Sequence, residues 1–97
     1  MSKYKIRFFV DNDRSLILWS GNDETIKKYD YPIIINNLPI SQELAKALDL
    51  FGDEITTKFG YIKSLESYPQ LKDTKENLIS RLRKELGDDY EIIDEMI

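Results

Sequence analysis

A small α+β domain is the fold class this sequence predicts, with a mainly antiparallel sheet (an N-terminal hairpin plus a C-terminal strand) and two helices packed on one face. Three observations carry that prediction. Residues 4–10 alternate between apolar and polar and lead through a turn cluster into a second apolar run. Leu44, Leu48, Phe51, Ile55, Phe59 and Ile62 recur at spacings of four, three, four, four and three. A further helical stripe ends at Gly87, and residues 90–97 then read as a strand.

The first strand has Tyr4, Ile6, Phe8 and Val10 on one side and Lys5, Arg7 and Phe9 on the other, the period of two expected of a half-buried strand. Asp11-Asn12-Asp13-Arg14-Ser15 is built of residues that bond their own backbone, so it reads as the turn before Leu16–Ser20. Asn22 or Asp23 can cap a short helix through Tyr29, with acids in its first turn and Lys27-Lys28 in its last. Tyr31-Pro32 favours extended backbone. Ile33–Ile35 suits either a short strand or a buried crossing.

Ser41 is an N-cap candidate, and the long stripe behind it is the strongest helical signal. Gly52 weakens that stripe and Gly60 suits its end. Residues 61–72 read as a connection. Asp73-Thr74-Lys75-Glu76 spells a capping box for the next helix, whose stripe is Leu78, Ile79, Leu82 and Leu86. Gly87 stops it. The last strand is expected beside the first, its acids facing Lys3, Lys5 and Arg7 across the ladder.

At 97 residues the chain predicts a single domain, residues 1–97, with one modest core. Cysteine and histidine are both absent. No disulfide or thiolate metal site can form, and the commonest general base and metal ligand are missing. Leu16–Trp19 and Ile33–Ile35 fall far short of a membrane span, and no signal-type apolar segment stands near Met1. The expectation is a soluble, cytoplasmic protein without membrane contact.

Charge is unevenly spread. Residues 85–97 carry six acids and no base, in a chain whose net charge is −4, whereas residues 61–84 hold six bases against three acids. The isoelectric point near 4.8 disfavours direct binding to nucleic-acid phosphate and suits a basic protein partner. Lys63, Lys72, Lys75, Arg81, Arg83 and Lys84, with Tyr61 and Tyr68 nearby, are read as a solvated helix face in preference to a nucleic-acid groove.

A search for chemistry finds no catalytic set, no cofactor site and no metal site. Asp11/Asp13 and Asp88/Asp89 are carboxylate pairs in turns, where Asp is common for conformational reasons. The calcium-loop pattern beginning at Asp11 fails at its sixth place, Leu16, and its twelfth, Asn22. Ser15, Ser20 and Ser41 have no histidine to activate them. The chain is therefore read as not an enzyme.

A binding surface is the better reading. Phe9 and Trp19, with Ile17 and Ile93, form an apolar patch on the sheet face away from the helices unless residues 29–40 wrap beneath and cover it. Tyr31 either contacts a partner or pins its loop to the sheet. The partner-binding candidates are Asp88, Asp89, Glu91, Asp94 and Glu95, with Trp19 and Tyr31 as aromatic anchors.

Two blocks carry a resemblance. Lys5-Ile6-Arg7-Phe8-Phe9-Val10-Asp11 with Leu18-Trp19-Ser20-Gly21-Asn22, and Leu82 through Glu91, look like a set of short uncharacterised bacterial proteins. Tyr31-Pro32 followed by Leu38-Pro39 and a helix is similar to the same set. The likeness covers most of the chain and implies no catalytic residues. In size and acidity the chain also resembles immunity proteins, which neutralise bacterial toxins by occluding them. The expected function is thus a noncatalytic immunity or inhibitor protein against a basic toxin or nuclease. The alternative is a structural or regulatory protein that forms a homodimer through the Phe9/Trp19 face.

Overall fold

The computed structural model describes residues 2–9, 16–58 and 69–96, and for 56–58 the backbone only. The order is β1 (Tyr4–Phe8), β2 (Leu18–Ser20), α1 (Asp23–Tyr29), a 3-10 turn (Ile35–Asn37), α2 (Gln42–Lys58), α3 (Pro69–Leu86) and β3 (Tyr90–Asp94). The architecture is α+β, as expected. The turn at 11–15, Val10, Phe59, Gly60, Tyr61, Ile62, Lys63 and Tyr68 lie outside the described residues.

The sheet runs β2-β1-β3. β1 and β2 are antiparallel, pairing Ile6 with Ser20 and Phe8 with Leu18. β3 lies beside β1 as expected but runs parallel to it, so the sheet is mixed and not mainly antiparallel. The cause is the connection. A hairpin reverses the chain, whereas a helical crossover returns it to the same end of the sheet. α3 carries the chain back: its early Lys75 meets Asp94 and its late Arg83 meets Ile92, so helix and strand are antiparallel.

Local chemistry explains most boundaries. Asn22 caps α1, its Oδ1 accepting the Thr25 N–H at 3.0 Å. The Ser41 hydroxyl accepts the Leu44 N–H at 3.2 Å and caps α2. α2 continues through Gly52 without a break.

The start of α3 differs from expectation. It begins at Pro69, so residues 69–72 are helical and Asp73 is an exposed residue inside the helix, not its cap. Proline at the first helical position costs no hydrogen bond and presets φ. Leu71 and Lys75 also extend the buried stripe backwards from Leu78.

Gly87 ends α3 at φ 80°, donating its N–H to Arg83 O at 3.1 Å. A side chain there meets no atom within 4 Å, so only conformation opposes one. Gly87→Ala is expected to lower stability by about 1 kcal/mol, read from urea unfolding.

Ile6, Phe8, Leu18 and Ile92 on the sheet pack with Leu44, Leu48, Phe51 and Ile55 of α2 and Leu78, Ile79 and Leu82 of α3. The Phe8 and Phe51 ring centroids are 6.0 Å apart. Residues 31–33 settle the question of the crossing. They pair with the free edge of β2: Ser20 N–H donates to Tyr31 O at 2.8 Å and Ile33 N–H to Leu18 O at 2.9 Å. Pro32 sits opposite Trp19. The segment widens the sheet instead of passing beneath it, and Ile33, Ile35 and Leu38 join the main core. Ile17 joins that core as well, not the second face.

Candidate surface on the second face and the α3–β3 turn

Strand alternation places Lys5 and Arg7 of β1, Trp19 of β2, and Glu91 and Ile93 of β3 on the face turned from α2 and α3, and Phe9, just past the end of β1, stacks on Trp19 there. An aromatic row crosses this face. Phe9 and Trp19 stack at 4.9 Å with their planes 15° apart, and Trp19 meets Tyr31 at 5.3 Å. The indole N–H donates to Phe9 O at 3.0 Å. Trp19 is 4% exposed and Tyr31 is 43% exposed. The two anchors expected from sequence therefore differ: Tyr31 is available for contact, whereas Trp19 is buried and supports its neighbours.

Arg7 joins the row to the C-terminal acids. Its guanidinium lies 4.9 Å from the Phe9 ring centroid. Nε and Nη2 each donate to the Glu95 carboxylate at 2.7 Å, a two-pronged pair, and Nη1 donates to the Tyr31 hydroxyl at 3.4 Å. Those bonds hold the Glu95 carboxyl below its ordinary range and Arg7 above its own. Both side chains remain about one-third exposed, so the pair contributes at most about 1 kcal/mol.

The expected acidic site is thereby divided. Glu95 is paired with Arg7, and Asp94 with Lys75 at 2.7 Å. Glu85 is also engaged, accepting the Ser41 N–H at 2.7 Å and its hydroxyl at 3.0 Å. Asp88, Asp89 and Glu91 are exposed and take part in no ion pair among the described residues. Glu91 faces Lys5 in register, partly offsetting its charge. Asp88 and Asp89 are positioned through their backbones: Asp88 O accepts the Ser2 hydroxyl at 3.1 Å and Asp89 O accepts the Tyr4 N–H at 2.8 Å.

The basic stretch is likewise broken up. Lys75 is buried, Arg81 approaches Glu43 of α2 at 3.6 Å, and Arg83 donates to Ile92 O at 3.1 Å. Arg7 meets the acids of the last strand as expected, through Glu95, whereas sequence reasoning missed Lys75 as the buried partner of Asp94. Lys75 carried a signal, since it stands on the apolar stripe four residues after Leu71 and three before Leu78.

A tyrosine cluster lies at the start of the strands. Tyr29 and Tyr90 share a hydroxyl–hydroxyl bond of 2.6 Å, and the Tyr4 ring sits 4.9 Å from that of Tyr90. Burial, then the bond to Tyr29, pushes Tyr90 up to about 12. The folded state thus keeps a proton that the unfolded chain releases near pH 10. The resulting stabilisation is complete below pH 10 and is lost as pH rises towards 12. Urea unfolding between pH 9 and 12 is expected to show a steeper loss of stability in the native chain than in Tyr90→Phe.

Depressions among the described residues include two of similar size. One, of about 430 Å³, is lined by Ser2, Arg83, Gly87, Asp88, Tyr90, Glu91 and Ile92. The other, of about 450 Å³, lies between the 3-10 turn and α2. Among the described residues, no group of three or more His, Cys, Asp or Glu side chains comes together to hold a metal ion. No described helix is long and apolar enough to cross a membrane.

Compared with protein-family models and with curated proteins, the chain matches none.

Proposed function

We propose that the chain is a noncatalytic binding protein that presents a compact acidic surface to a basic protein partner. It would act as a bacterial immunity or inhibitor protein acts when it occludes a toxin or nuclease. The observation carrying this reading is the exposed run Asp88, Asp89 and Glu91, which the chain's own cations leave without an ion pair among the described residues. Such a run steers encounter with a positive surface and meets its cations on docking. Asp94 and Glu95 serve the scaffold through Lys75 and Arg7, and Tyr31 supplies an aromatic contact at the far side of the sheet face. The cytoplasm is the matching compartment for a cysteine-free protector of this kind.

The test is association with a panel of catalytically inactive basic nuclease toxins at low and physiological salt. A cognate partner is expected to bind rapidly, with a rate that falls as salt rises. The double reversal Asp88→Lys/Asp89→Lys should slow association by about tenfold at low salt. Absence of binding across the panel, or rates indifferent to salt and to the double reversal, would overturn the reading. The homodimer alternative keeps only Phe9 and Tyr31 as anchors once Trp19 is buried in its own chain, and sedimentation at micromolar concentration decides it.

A further inference from the structure

The sheet has two edges, and the chain treats them differently. At β2 the edge is closed by residues 31–33. At β3 no further strand pairs among the described residues. Tyr4 N–H donates to Asp89 O and Glu95 N–H to Phe8 O, so residues 89, 91, 93 and 95 turn their backbones towards β1. Residues 90, 92 and 94 turn theirs outwards. Tyr90 N–H is used by Gly87 O, and Ile92 O accepts Arg83. The N–H groups of Ile92 and Asp94 have no acceptor among the described residues. The depression of about 430 Å³ borders this edge.

We propose that the outer edge of β3 takes up an extended basic segment of the partner as an added strand, Arg83 occupying the Ile92 carbonyl until that segment arrives. The inference rests on the acidic-surface reading and specifies how the surface is used. Charge selects the occupant. A second copy pairing at this edge would bring its own Asp88, Asp89 and Glu91 up to the same acids, unpaired among the described residues, and like charges set opposite each other destabilise a ladder. A strand with Lys or Arg at alternate positions meets Asp88 and Glu91 on one side while its backbone meets Ile92 and Asp94. Arg83 is then displaced: one side-chain hydrogen bond to Ile92 O gives way to main-chain bonds with both residues.

The probe is a capped synthetic peptide of alternating Lys and Val, compared with the same peptide N-methylated at alternate residues. The second keeps every charge but cannot form a ladder. With the native protein, the first peptide is expected to slow amide exchange at Ile92 and Asp94 by about tenfold. N-methylation should weaken binding by about fivefold and abolish that protection. Arg83→Ala should bind the unmodified peptide more tightly, since a competing donor and a like charge are gone. Equal binding of both peptides without protection at Ile92 and Asp94 would overturn edge docking while leaving the acidic surface standing. Binding of neither peptide would overturn it also; the toxin panel then reports separately on the acidic surface. Self-association of Arg83→Ala without peptide binding would make a second copy the occupant and refute the proposal.

Discussion

Asp94→Ala is expected to lower stability by about 2–3 kcal/mol, a large share of what a domain this size possesses. The Lys75 side chain is only 6% exposed, and its ammonium donates to Asp94 Oδ2 at 2.7 Å and to Met96 O at 3.1 Å. Asp94 Oδ1 also accepts the Met96 N–H at 3.0 Å, so one carboxylate ties α3 to the end of β3. Truncation leaves a buried cation with a single carbonyl. Removing one partner of a buried pair commonly costs about 3–5 kcal/mol, and the one-third exposure of Asp94 moves the figure to the bottom of that range or just below it. Lys75→Met in the Asp94→Ala background should recover at least about 1 kcal/mol, because the unpaired charge is gone and the stem still packs. Urea unfolding of the two variants checks both values. A loss below about 0.5 kcal/mol for Asp94→Ala would show that water reaches the ammonium and that the pair is a surface one. The result also bears on function: weaker partner binding by Asp94→Ala reports a damaged scaffold unless its stability is measured alongside.

Trp19→Ala is expected to cost about 3–4 kcal/mol, near the lower part of the range for deleting a buried aromatic side chain. The substitution removes the stack on Phe9, the contact with Tyr31 and the indole bond to Phe9 O together. Trp19→Phe keeps a ring but loses the N–H donor and some volume, for about 1–2 kcal/mol. Circular dichroism is the appropriate probe, since Trp19 is the only tryptophan and its loss abolishes that fluorescence. A cost under about 1 kcal/mol would place the indole on an exposed patch and return it to the list of partner contacts. Tyr31→Ala, by contrast, should change stability little, because that side chain is the exposed end of the row.

Much of the fold was legible because its signals are local. The α2 stripe repeats at helical spacing, and Leu44, Leu48, Phe51 and Ile55 are all buried. The antiparallel pairing of β1 with β2, the Asn22 and Ser41 caps and the Gly87 stop follow from neighbours close in the chain and appear as read. The beginning of α3 was less legible because two local signals competed. A capping-box spelling at Asp73 and a proline at position 69 both mark helix starts, and burial of Leu71 and Lys75 against the core favours the earlier one.

The acidic C-terminus shows the limit more sharply. The strand order expected from the sequence brings Arg7 and Lys5 to the acids of β3, but it does not say which carboxylate each meets, nor that Asp94 takes the buried Lys75. Arg7 is 88 residues from Glu95 in sequence, and their bond exists only because β3 returns beside β1. The direction of β3 was hidden for a related reason: alternation has the same period in parallel and antiparallel strands. Trp19 could not be placed either, since its cover includes Tyr31, which arrives after α1 reverses the chain.

Element types, most helix ends, the α+β class and the excess of negative charge at one end belong to the amino-acid order, because each follows from periodicity or contact between near neighbours. Strand direction, the split between paired and unpaired acids and the burial of Trp19 belong to the folded molecule. Those properties depend on which distant segments meet, and a single chain read in order carries no measure of that meeting.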